Sequence, residues 1–260
     1  MHPPGSFCWF ELSTTDQPAA KQFYEQLFGW TSEDSPIGPD EFYTTFKLDG
    51  EAAAAGYTMR ADQRQAGVPP NWGLYVAVEA ADAAAARAKE LGGTVLAPAF
   101  DVGEHGRMAV IQDPFGAEFS VWQPKANPGT TVEPGAIGTA CWADLSVPDQ
   151  ARAGEFYRLL FGWKMRSGKG ETPARPGDYY HIVNGADFIG GIPPSDQRNA
   201  QAPPHWLIYF EVEDCAAATA RAKGLGARAY VEPMAVGENG WVSVLADPQG
   251  AVFATHQTKK

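Results

Sequence analysis

The pattern of apolar and polar positions opens over Phe7 to Thr14 with aromatic or apolar residues alternating with small or polar ones, the period of a half-buried strand. From Thr15 or Asp16 the period changes to that of a helix. Ala19, Phe23, Leu27 and Phe28 form an apolar stripe, Pro18 sits in the first turn, and Gly29 stops the run. Trp30 begins a short strand, Ser32 to Pro39 reads as a loop, and strands follow at Phe42 to Leu48 and Ala52 to Tyr57 around Asp49-Gly50. A polar bridge, Ala61 to Pro70, precedes a second pass through the same order. Trp72 to Val78 is a strand and Ala81 to Leu91 a helix ended by Gly92-Gly93. Strands follow at Thr94 to Ala97, Arg107 to Gln112 and Ala117 to Trp122.

The whole pattern then repeats. FCWFELSTTDQPAAKQFYEQLFGW, from Phe7, returns as ACWADLSVPDQARAGEFYRLLFGW, from Ala140. Cys8 and Cys141, Trp9 and Trp142, and Asp16 and Asp149 are each 133 positions apart. Downstream, Trp72 and Trp206, Tyr75 and Tyr209, and Asp113-Pro114 and Asp247-Pro248 are 134 apart, so one residue has been inserted. A repeat of this length is a duplicated domain rather than a solenoid. The expected architecture is α+β: four βαβββ modules in tandem, two in a domain over 1–124 and two in a domain over 137–260. A linker rich in Pro, Gly and Thr covers 125–136.

Composition changes little. Of 260 residues 44% are apolar, enough for two cores, and the net charge of −11 argues against nucleic acid or an anionic membrane as partner. Three cysteines form no disulfide framework, and no leader-like N-terminus or long apolar run is present, which predicts a cytoplasmic chain, monomeric or homodimeric.

The opening strand-Asp-helix ending in FYxxLFGW, the second helix ending in LGG or LGA, and the closing DPxG strand resemble the vicinal oxygen chelate superfamily of glyoxalases, bleomycin resistance proteins and extradiol dioxygenases. The tandem order is most similar to two-domain mycobacterial glyoxylase antigens and actinobacterial proteins labelled hydroxylases. The resemblance implies that paired modules curl into cups, each holding substrate and a divalent ion bound by His, Gln or Glu. Carried onto this chain, the ligand positions fall on Trp9, Gly73 and Ser120, with a further one near Ala55-Gly56. In the second copy they fall on Trp142, Leu207 and Ala254, with one near Ile189-Gly190. No such set holds a metal, so neither metal nor other cofactor is expected. A displaced metal site from Asp144, His205 and His256 is the one variant that spacing leaves open.

Strand alternation places Glu11 with Trp9, Asp144 with Trp142, Tyr75 with Gly73, and Trp122 with Ser120 on the inner faces. The second copy adds His205, Tyr209, Glu211 and His256. Phe10, Leu12, Phe119, Trp206, Phe210 and Phe253 then point to the helices and the core. The expected ligand is a small, flat, partly apolar molecule on Trp9, Tyr75, Trp122, Trp142, His205 and Tyr209. In an enzyme, Asp144 with His256, or Glu11 with Tyr75, would move protons in lyase- or isomerase-type chemistry. The competing readings are indoles that merely seal the cups, carboxylates that merely bond a neighbouring strand, a metal-dependent glyoxalase or dioxygenase, and a non-catalytic antibiotic-binding or antigen-like protein. His181, next to Tyr179-Tyr180, is equally open to a structural or a chemical role.

Overall fold

Asp16 caps the first helix by accepting the Ala19 amide at 3.0 Å, and Gly29 closes it at φ 74°, a conformation that costs glycine nothing. Asp149 and Gly162 repeat both devices. A computed structural model describes residues 2–167, 172–175, 177–237 and 240–259, with the backbone alone at 172–173.

Four βαβββ modules follow one another. The first contains β1 (Phe7–Thr14), α1 (Gln17–Phe28), β2 (Thr31–Gly38), β3 (Glu41–Leu48) and β4 (Glu51–Thr58), followed by the short α2 (Ala61–Gln65). The second contains β5 (Asn71–Ala77), α3 (Ala81–Glu90), β6 (Thr94–Val102), β7 (Gly106–Gln112) and β8 (Glu118–Pro124). The third contains β9 (Ala140–Ser146), α4 (Gln150–Phe161), β10 (Lys164–Ser167), β11 (Thr172–Pro173), β12 (Tyr180–Asn184) and β13 (Asp187–Ile192). The fourth contains β14 (His205–Glu211), α5 (Cys215–Gly224), β15 (Arg228–Val236), β16 (Gly240–Ala246) and β17 (Val252–Thr258). Within each module the first strand pairs in parallel with the last, and the others are antiparallel. The fold is α+β, and the strands form sheets of eight and nine strands.

Two elements differ from the sequence reading. Ser32 to Pro39, read as a loop, lies largely in β2, which pairs with β3 from Thr31↔Lys47 to Gly38↔Glu41. Its residues are mostly exposed, so a strand with one solvated edge carries no apolar alternation, and Pro36 is tolerated there. The bridge after Thr58 contains α2, too short for a periodic signal.

The chain divides into two compact units, and they are not the two sequence halves. Unit 1 comprises Met1–Cys8, Leu74–Gly129 and Trp142–Leu207; unit 2 comprises Trp9–Gly73, Thr130–Cys141 and Ile208–Lys260. Each unit therefore joins a module from one copy to a module from the other. In unit 2, Phe28 packs on Phe210 at 5.0 Å between centroids and Tyr24 edge-on to Phe253 at 5.7 Å. In unit 1, Phe119 packs on Tyr157 at 5.5 Å and Phe7 edge-on to Trp206 at 5.5 Å. Phe10, Leu12, Phe119, Trp206, Phe210 and Phe253 are all buried, as alternation requires once the opposite faces are assigned inward.

The aspartates of the DPxG turns hold this arrangement. Asp247 Oδ1 accepts the amides of Gln249, Gly250 and Ala251, while Oδ2 accepts the hydroxyl of Tyr24 at 2.9 Å. Asp113 does the same with Phe115, Gly116 and Ala117, and accepts Tyr157 at 3.1 Å. Burial raises both carboxyls above their usual range, against the hydrogen bonds that lower them.

Candidate functional site

In unit 2 the parallel register of β1 and β4 sets Glu11 beside Ala55, and β3 brings Thr45 into the same row. The neighbouring row is Ser13, Tyr57 and Tyr43. Tyr43 donates to Glu11 Oε2 at 2.8 Å and accepts the Trp9 indole N–H, also at 2.8 Å. Burial, reinforced by the Glu11 charge, pushes the Tyr43 phenol well above its usual pKa. Trp9 is buried, and its indole N–H is taken up by this hydrogen bond.

Unit 1 contains the counterpart. Asp144 lies in register with Gly191, and Gly191 with His181. The Tyr179 hydroxyl donates to Asp144 Oδ1, and the Trp142 indole N–H reaches both Asp144 Oδ1 at 3.0 Å and the Tyr179 oxygen at 2.9 Å. Gly191 makes this possible, because a Cβ there would stand 1.9 Å from the Tyr179 oxygen. The phenol crosses the sheet over a position without a side chain. Asp144 is buried, at 8% exposure, and is satisfied by two neutral donors.

His181 completes this cluster. Its ring packs edge-on to Trp142 at 6.1 Å and Phe188 at 5.7 Å, with Tyr179 at 4.9 Å. Burial holds its pKa below the usual imidazole value, against the opposing Arg166 backbone hydrogen bond and Asp144 charge. The neutral ring presents a buried Nδ1 without a hydrogen-bond partner among the described residues. The first copy has Thr45 in the matching row.

The other sequence-derived candidates divide as follows. His256 meets a carboxylate, but that carboxylate is Glu211, at 2.7 Å, because β14 and β17 set the two side by side. Asp144 is engaged by Tyr179 and Trp142 instead. The phenol on Glu11 is Tyr43, not Tyr75, which packs edge-on to Trp122 at 6.4 Å. Trp122 donates to Asn127 O at 2.9 Å and covers Gly106. His205 Nδ1 lies 2.8 Å from Pro203 O, turned onto its own loop. Tyr209 is half-buried and its carbonyl receives the Cys141 thiol at 3.5 Å.

Tyr43 and Tyr179 were missed by periodicity because they come from, or immediately precede, a strand two positions away in the sheet. They lie 136 positions apart, and aligning EFYTTF with GDYYHI across the variable β2 region would have found them.

The divalent ion implied by the fold does not fit here. The register places Ala55 and Gly191 opposite Glu11 and Asp144, which corrects the second position from Ile189-Gly190. The superfamily positions are then Trp9, Ala55, Gly73 and Ser120 in one copy and Trp142, Gly191, Leu207 and Ala254 in the other. Indoles, alkyl groups and glycines have no lone pair to offer, the Ser120 hydroxyl is a single weak donor, and both indole N–H groups are already donated.

Comparison with known proteins agrees with the fold. The family model described as "Glyoxalase/Bleomycin resistance protein/Dioxygenase superfamily" matches residues 6–121 and 139–255. "Putative glyoxylase CFP32" of Mycobacterium tuberculosis is 38% identical over 252 residues, 95% of this chain and 92% of that protein. "Anthracycline biosynthesis protein DauV" of Streptomyces sp. strain C5 is 33% identical over 271 residues, 99% of this chain and 94% of that protein. The crystal structure of the Mn(II)-bound glyoxalase from Novosphingobium aromaticivorans superposes with a TM-score of 0.66 at 17% identity, covering 99% of this chain and 83% of that one.

Proposed function

The chain belongs to the glyoxalase/bleomycin resistance protein/dioxygenase superfamily, and from that premise we propose that it binds a small, flat, partly apolar metabolite without the superfamily's metal. The binding face we propose is Trp142, Tyr179 and His181 in unit 1. The observation that carries this reading is the buried Asp144, held by the Tyr179 hydroxyl and the Trp142 indole next to a neutral imidazole whose Nδ1 has no partner among the described residues.

That grouping suits both halves of the task. The rings supply apolar area and an edge-on geometry for a planar ligand. The imidazole accepts a hydrogen bond or proton, and the Tyr179–Asp144 pair passes one on, which is the apparatus of general acid/base catalysis of lyase or isomerase type. A relative named for anthracycline biosynthesis supports a fused-ring ligand, since the ring system of such molecules is flat. Glu11, Tyr43 and Trp9 form a similar relay in unit 2 with Thr45 where the imidazole would be, so we assign that face binding without proton transfer.

The test is calorimetric titration of a fused-ring aromatic panel into the full chain and into Tyr179→Phe and His181→Leu. Loss of a polar contact predicts about tenfold weaker binding for each, corresponding to about 1.4 kcal/mol. Affinities equal to those of the unaltered chain would exclude this face.

A further inference from the structure

A different group of side chains converges in unit 2. Cys141 on β9, Glu211 on β14 and His256 on β17 each bring one donor atom, all within 4.8 Å of one another. The parallel register of β14 and β17 sets Glu211 beside His256, and the Glu211 amide donates to Thr139 O at 2.9 Å, two residues before the thiol. Glu211 is 6% exposed, whereas Cys141 and His256 are half-buried. The Thr258 amide holds Glu211 Oε1 at 2.8 Å, leaving Oε2 beside the imidazole at 2.7 Å. Cys141 Sγ rests 3.5 Å from Tyr209 O.

The repeat supplies a control. The positions matching Cys141, Glu211 and His256 in the first copy are Cys8, Ala77 and Trp122, so the fold needs neither the carboxylate nor the imidazole there. Burying a carboxylate is costly, and a hydrogen-bonded pair alone explains neither its retention nor the third donor turned toward it. Sulfur, imidazole nitrogen and a single oxygen together suit a borderline divalent ion such as zinc or cobalt and do not suit magnesium or calcium.

We propose that Cys141, Glu211 and His256 form a three-residue site for a zinc-type divalent ion, leaving an outer position for water or a small ligand. The site is distinct from the superfamily positions Trp142, Gly191, Leu207 and Ala254. Metal–donor bonds of about 2.0–2.3 Å are reached by closing the three donors slightly around the ion. The Cys141 thiol loses its proton to solvent as its sulfur forms the metal bond, and the Glu211–His256 hydrogen bond opens, its proton passing to solvent or to His256 Nε2 so that Nδ1 and Oε2 are free to bind the ion. The proposal does not depend on the Trp142 face, and the two can fail separately.

The experiment is a titration of the metal-free, untagged full chain with cobalt(II), followed by the thiolate-to-cobalt charge-transfer absorption and by competition with a chelator. One equivalent should bind with that band. Cys141→Ser should abolish the band, Glu211→Gln and His256→Ala should each weaken binding at least tenfold, and Cys8→Ser should leave both unchanged. Circular dichroism checks folding, and half-exposed His256 carries the test should Cys141→Ser not fold. Absence of the band in the unaltered chain, its persistence in Cys141→Ser, or unchanged affinity in His256→Ala would overturn the site.

Discussion

The Tyr24 hydroxyl donates to Asp247 Oδ2 at 2.9 Å, joining the opening helix of the first copy to the DPxG turn of the second, 223 residues later. Trp72 Nε1 donates to the same hydroxyl at 2.8 Å, so one phenol serves two buried polar groups. Tyr157, Asp113 and Trp206 repeat the triad in unit 1. Tyr24→Phe leaves both an indole N–H and a carboxylate oxygen short of a partner. The expected loss is about 1–3 kcal/mol, read as a lower urea midpoint with an unchanged slope.

Gln17 performs comparable work at the start of α1. Its Nε2 lies 2.6 Å from Thr44 Oγ1 and within bonding reach of Phe42 O and Gly56 O, and its Oε1 accepts from Thr58 at 3.1 Å. Gln150 likewise bonds Asp178 O and Ile192 O in unit 1. Gln17→Leu fits the space but strands several buried acceptors, and about 2 kcal/mol or more of stability should go in chemical denaturation.

Gly191→Ala examines the Tyr179–Asp144 contact without touching either residue. The added methyl collides with the phenol oxygen, so Tyr179 swings away and Asp144 loses that hydroxyl while the Trp142 indole stays. The affinity for a planar ligand should fall to roughly that of Tyr179→Phe, by about tenfold. Ligand binding equal to that of the unaltered chain would show that this contact does not shape the face.

Glu211 sets a pH dependence of known sign. Burial raises its pKa, but hydrogen bonds from His256 and Thr258 outweigh that and hold it below its ordinary value of 4.5. A carboxylate with a depressed folded pKa contributes stability above the unfolded value and loses it as pH falls through the folded value. The melting temperature of the unaltered chain should therefore exceed that of Glu211→Gln most clearly above pH 4.5, and the gap should narrow in acid. A constant gap would mean that Glu211 does not titrate as its contacts require.

Much of this organisation can be read along the chain. Alternation separates Trp9 and Glu11 from Phe10 and Leu12, and helix periodicity assigns Phe23 and Phe28 to the core. Those rules concern one strand or helix at a time. Tyr179 reaches Asp144 only through pairings of β9 with β13 and β13 with β12, and Glu211 meets His256 only through the register of β14 with β17. The choice of carboxylate for each titratable group depends on such registers. The joining of Tyr24 to Asp247 was illegible for another reason: the two copies have nearly the same apolar faces, and no local pattern states which copy a face meets.

The most direct test of a planar-ligand face in unit 1 is a comparison of Trp142→Leu with Trp9→Leu, both confirmed as folded by circular dichroism, in fused-ring ligand titrations followed by tryptophan fluorescence and calorimetry. At least one ligand should quench the unaltered chain, with Trp142→Leu weakening its affinity at least tenfold and abolishing any turnover, while Trp9→Leu retains the turnover. Quenching and affinity that are the same in Trp142→Leu as in the unaltered chain would contradict the account.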